Sequence, residues 1–135
     1  MKINKKFTVI ALFAVSTIGA AATVNKPPEE QYKNLEVLPK NISSKDLQEI
    51  MTDDFESDLG VNCDFCHASA NDGHSLDYAS DAKPEKEIAR AMMRMTIDLN
   101  KKYFKLKHPV LGSSELVVTC NTCHKGVAFP DGNGQ

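Results

Sequence analysis

Two five-residue segments govern what this chain can become: Cys63-Asp64-Phe65-Cys66-His67 and Cys120-Asn121-Thr122-Cys123-His124. Each reads Cys-x-x-Cys-His, the pattern of covalent c-type haem attachment, and together they use every cysteine of the chain. The spacing has a mechanical reason. Two thiols three positions apart on a helical turn can each add to one vinyl group of a porphyrin. The next residue then carries its imidazole over the ring to the iron. A fold built on two such motifs must close around large, flat bodies bonded at set points of the chain.

Other uses of four cysteines lack context. Paired Cys-x-x-Cys segments bind zinc in intracellular chains, but here a histidine follows the second cysteine both times. Disulfides between positions i and i+3 are strained. A thioredoxin-like redox pair needs a βαβ setting, for which there is no pattern.

The N-terminus bears on the same choice. Residues 1–22 place Lys2, Lys5 and Lys6 before an uncharged stretch of 16 residues, Phe7 to Ala22, that ends in small residues. This is the layout of a cleaved export signal, with Ala20 and Ala22 at its cleavage site. A retained membrane anchor is the competing reading, but a span needs roughly 20 apolar residues. Export puts the cysteines in an oxidising, periplasmic setting, where haem attachment outcompetes thiolate zinc. Loss of the three lysines would move the net charge from −2 to −5. Neither value suits a nucleic-acid binder working by bulk positive charge.

Residues 23–34, with Pro27-Pro28, read as an extended leader or tether, residues 35–130 as one dihaem domain, and residues 131–135 as a flexible tail. Ser43 or Ser44 caps a first helix carrying Leu47, Ile50, Met51 and Phe55, which Gly60 stops. Residues 68–82 read as loop. Ser80 or Asp81 opens a second helix with Pro84 in its first turn. Its inner face is expected to hold Ile88, Met92, Met95, Leu99 and Tyr103, with Met93, Ile97 and Phe104 on a second stripe. Leu116 to Thr119 is the sole strand candidate and reads better as a connector into Cys120. The fold class expected is all-α: few helices and long loops packed around two covalently bound haems. Six Phe, three Tyr and no Trp leave little for a side-chain core. Burial of the porphyrins is therefore expected to drive folding, and the apoprotein to fold poorly.

His67 and His124 each supply one axial iron ligand. Met51 lies 12 residues before Cys63, and a hairpin through Gly60 would lay it over the distal face of the first haem. For the second haem the candidates are Met92, Met93, Met95, His74 and His108. Met95 is preferred, with Met92 and His108 left open.

Four runs extend the pattern well beyond the two motifs. They are Lys33 to Pro39, Leu59 to His67, Ala79 to Pro84 with Ala89 to Met95, and Val118 to Gly126. With them, residues 32–127 resemble the photosynthetic reaction-centre cytochrome c subunit family. The resemblance implies four haems in two similar halves, three of them Met/His ligated and one bis-His. Each unit has a helix, a turn and a Cys-x-x-Cys-His segment along one haem. It implies Met51 as the ligand preceding the first motif and Met95 as the methionine closing the Met-rich segment. Two motifs rather than four, and no cysteine for a lipid anchor, make this chain one half of that arrangement. The fold and the electron-transfer role carry over, but not the partner.

The function expected is electron transfer through two haem c groups in the periplasm, with redox partner proteins as donor and acceptor, and no enzymatic activity. Two alternatives stand beside it. One is a peroxidase-like dihaem enzyme with one open iron. The other is a haem subunit docked on a larger membrane redox complex through residues 23–34. Asp53, Asp54, Glu56 and Asp58 at one helix end, and Lys101, Lys102, Lys105 and Lys107 at another, would form a dipole able to steer partners.

Overall fold

A computed structural model describes residues 32–130. The export signal, most of the leader and the 131–135 tail lie outside the described residues.

The first helix begins where local chemistry places it. Ser43 is the N-cap, its hydroxyl accepting the Asp46 N–H at 3.1 Å. The α-helical part, α1, is Ser44–Glu49, and it continues as a wider π-helical segment, π1, Ile50–Ser57. The sequence pattern does not reveal that change of pitch. One local cause is Thr52, whose hydroxyl bonds the Gln48 and Glu49 carbonyls at 3.1 and 3.2 Å and competes with the backbone N–H groups for them. Gly60, at φ 65°, ends the run as expected.

Helix α2, Cys63–Cys66, follows directly. A two-stranded antiparallel ladder comes next, β1 Ala68–Ser69 against β2 Leu76–Asp77, in register Ala68 with Asp77. Residues 68–82 are therefore not all loop, and the fold is mostly helical rather than all-α. The hairpin tip is closed by Asp72, whose carboxylate accepts the His74 and Ser75 N–H groups at 2.9 and 3.0 Å. Asn71-Asp72-Gly73 was its legible turn signal.

The long helix α3 is Pro84–Lys102, with Pro84 in its first turn and Lys83 as N-cap. Ser80 and Asp81 lie before it without capping it. Its buried residues are Arg90, Met93, Thr96 and Asn100. The face expected to point inward points outward: Ile88 is 58% exposed, Met92 43%, Met95 46% and Tyr103 63%. Two polar networks turn the helix this way. Arg90 meets Glu36, Asp81 and Glu87 at 3.3, 3.0 and 3.0 Å and donates to the Asn34 carbonyl at 3.2 Å. Asn100, fully buried, is the second anchor. Helix α4, Cys120–His124, closes the described chain.

Among the described residues the buried apolar core is Leu38, Ile50, Met93 and Leu111, with Met51, Phe55, Leu47 and Ile97 packed around it. That is a thin core for so many ordered residues. The three described residues of the leader include two tied ones. The Tyr32 hydroxyl donates to Ser44 at 2.7 Å, and the Asn34 amide donates to the Ala79 carbonyl and the Asp81 carboxylate at 2.6 and 2.9 Å. The runs 33–39, 79–84 and 89–95 singled out in the sequence thus meet in one hydrogen-bonded network.

Candidate functional site

Both motifs form a single helical turn with unpaired thiols. Cys63 and Cys123 are exposed, and Cys66 and Cys120 are half-buried. Burial pushes the Cys66 thiol up, helped by Glu85. Burial, with Asp54 and Asp58 nearby, pushes Cys120 up to about 11. No group of three or more His, Cys, Asp or Glu side chains among the described residues is gathered for a metal ion.

The first motif leads out of α2 into β1. His67 has extended backbone, and its N–H donates to the Cys63 carbonyl at 3.0 Å. The register of the ladder sets His67 opposite Tyr78, and the two rings meet edge to face at 5.0 Å between centroids. The His67 Nδ1 is buried without a hydrogen-bond partner. Burial first, and Lys86 second, hold the ring below its ordinary pKa. Neutral imidazole is the form that offers a lone pair to a metal. Helix α2 packs on α3, and the Lys83 ammonium donates to the Asp64 carbonyl.

The second motif is more elaborately held. Thr119 and Thr122 form a reciprocal capping box at the start of α4. Asn100 fixes the approach: its carbonyl oxygen accepts the Val117 and Val118 N–H groups at 2.8 and 3.1 Å, and its amide donates to Val118 and Thr96 at 2.7 and 2.9 Å. The segment 116–119 is a connector because Val117 and Val118 bond to this side chain while the Leu116 and Thr119 N–H groups donate to the Ser113 carbonyl and the Thr122 hydroxyl, not to a neighbouring strand. After the helix, Lys125 is left-handed at φ 50°. His124 Nδ1 lies 3.0 Å from the Val127 carbonyl, a partner that accepts only from the Nδ1–H tautomer. Nε2 is then the nitrogen left with a lone pair for a metal.

The structure brings the two motifs together. Phe65, inside the first, meets Phe129, beyond the second, edge to face at 6.2 Å. Asp58 reaches the second motif from the end of the first helix, and π1 packs on α4. Asp54 is half-buried with Oδ2 unpartnered, its carboxyl raised by burial and by Asp58 and Asp53. Sequence reasoning counted Asp54 and Asp58 as surface charge, and missed Asn100 and Arg90, because buried polar residues break the pattern of apolar periodicity.

The candidate sixth ligands fall in different places. Met51 is half-buried against the core, and Met93 is 7% exposed inside it. His74 and His108 are exposed on loops. Met95 lines an open hollow of about 720 Å³ with Ala91, Leu99 and Tyr103, rimmed by Arg94, Asp98, Lys101 and Lys102. An apolar floor with charged edges suits an amphipathic planar group.

The model of the family described as photosynthetic reaction centre cytochrome C subunit matches residues 4–133, nearly the whole chain. No solved structure matches it. The chain belongs to the photosynthetic reaction centre cytochrome C subunit family.

Proposed function

We propose, from this membership, that the chain is an exported, periplasmic electron carrier that holds two haem c groups and performs no chemistry on a substrate. Cys63 and Cys66 bond the first haem, with His67 as an axial ligand. Cys120 and Cys123 bond the second, with His124 as an axial ligand. Met51 and Met95 complete the two irons. A haem supplies reversible one-electron exchange at its iron when bound.

The observation that carries this reading is the shape of the two motifs: each is one helical turn that carries two cysteines three positions apart, with a histidine at its end. His124 keeps Nδ1 on a backbone carbonyl, which fixes its ring, and burial keeps His67 neutral. Met95 opens onto a hollow with an apolar floor, where Arg94, Lys101 and Lys102 outnumber Asp98 at the rim. Met51 rests half-buried against the thin core beside Ile50, in the helix that precedes the first motif. Contact between Phe65 and Phe129 supports close spacing of the two haems and fast transfer between them.

Among the described residues no helix is long and apolar enough to cross a membrane. The family description supports docking on a membrane redox complex, with soluble or membrane-bound redox proteins as donor and acceptor.

The deciding experiment is intact mass of the denatured, reduced chain, with the reduced visible spectrum of the native protein. Two haem masses retained on the polypeptide are expected, with the weak red band of Met–iron ligation in the oxidised form. A bare chain with four titratable thiols overturns the reading.

A further inference from the structure

We propose that Asp58 and Gly60, in the first half of the chain, form a clamp that orients the axial histidine of the second motif. They act as positioning residues for the second haem. The inference rests on the function proposed above and deepens it. Asp58 holds the second motif at both ends. Its carboxylate Oδ2 accepts the Asn121 N–H at 3.0 Å, in the first turn of α4. Its backbone carbonyl accepts the Gly126 N–H at 2.8 Å, just past the end of α4. The next contact is steric. A Cβ on Gly60 would stand 2.2 Å from the Gly126 carbonyl oxygen, so the two turns approach to a distance only glycine permits.

These contacts act on His124 through one short path. Gly126 is fixed by Asp58 and Gly60, and Val127 is the next residue. The Val127 carbonyl is the acceptor for His124 Nδ1–H at 3.0 Å, while the Val127 N–H returns to the His124 carbonyl at 3.0 Å. A displaced Gly126 moves that carbonyl, and the imidazole plane turns with it. At His67 the Nδ1 is unpartnered and the ring's backbone contact is with Tyr78, beyond the reach of Asp58 and Gly60. The clamp therefore acts on one haem. It also ties the chain just before the first motif to the second, which sets how the two haems stand to each other.

The test uses the holoprotein with Asp58→Ala, Asp58→Asn and Gly60→Ala. Each is read by haem count from intact mass, by spectroelectrochemical titration, and by the electron paramagnetic resonance signals of the two ferric irons. Asp58→Ala and Gly60→Ala are expected to shift one of the two reduction steps and one of the two signals. Asp58→Asn should restore both, because its amide oxygen still accepts the Asn121 N–H. Histidine Nδ1–H resonances of the reduced protein assign the altered haem to His124. Loss of the second haem alone from Asp58→Ala also supports the clamp. Unchanged reduction steps and signals with a lowered melting temperature would reduce it to a structural staple. Equal shifts of both haems, or an effect assigned to His67, overturn it. A wild-type chain without haem sinks the function proposed above and is told apart by its mass alone.

Discussion

The two motifs share a five-residue pattern and almost nothing else. The first is a bare helical turn without a side-chain cap, and its histidine leaves directly into a strand. That histidine is half-buried, edge to face with an exposed Tyr78, and its Nδ1 is unpartnered. The second has a capping box, a buried asparagine behind it, an aspartate across its N-terminus, and a histidine hydrogen-bonded to the backbone. The pattern thus prescribes attachment, while each histidine's surroundings come from elsewhere in the chain. A hydrogen-bonded Nδ1–H makes the imidazole a stronger donor and favours ferric iron. With the same kind of sixth ligand on both irons, the His124 haem should be the harder to reduce. Two separate steps in a redox titration, the lower assigned to His124, are the expected result. A single step with both haems equivalent would break the comparison.

The largest stability effect is expected at the second motif. Asn100→Ala removes the side chain that satisfies Val117, Val118 and Thr96 backbone groups, at a cost of about 3 kcal/mol. Urea unfolding of the holoprotein measures it. The disturbance should appear in the His124 haem before the His67 haem.

Next comes the network that orients α3, which serves both motifs. Asn34, then Arg90 and Lys86, hold the Asp81 carboxyl down to about 2. A lowered acid contributes stability above its unfolded pKa of roughly 4, and that stability is lost as the pH falls through its folded value. The advantage of wild type over Asp81→Asn should therefore be full at neutral pH and fade between about pH 4 and pH 2. Thermal melts across that range check it, and an advantage that grows toward acid would contradict the network.

A smaller effect sharpens the contrast between the motifs. Thr119→Ala should cost about 1 kcal/mol through loss of the capping box. Asn62→Ala, at the equivalent position of the first motif, should cost little, because that side chain makes no capping bond. The smallest change has the opposite sign. Asp54 is raised by burial and by its acidic neighbours, so its charge opposes folding at neutral pH. Asp54→Asn should stabilise by about 0.5 kcal/mol at pH 7, and the gain should vanish as the pH falls and Asp54 takes up its proton.

The limits of the first helix were legible residue by residue, while the long helix starts at Pro84, past the Ser80 or Asp81 opening that the pattern favoured. Ser43 caps the first helix, Gly60 stops it, and Pro84 stands in the first turn of the long one, because caps and breakers act within a few residues. The orientation of α3 was not. Apolar periodicity favoured the Met92 and Met95 face as inward, whereas Arg90 and Asn100 take the interior by satisfying every polar group they bring. The hairpin at residues 68–77 was missed for a different reason. Two-residue strands carry too little alternation to register, although their turn was visible.

By itself the sequence determined where the two Cys-x-x-Cys-His turns lie, which family the chain belongs to and how its first helix is capped and stopped. Those properties depend on spacing along a single turn and on caps within reach of their own backbone. Tertiary structure alone decided which face of the long helix is buried and what each histidine touches. The partners responsible come from distant positions, Asp58 reaching Asn121 across 63 residues and Asn100 reaching Val118 across 18, and only the folded chain brings them within hydrogen-bond range.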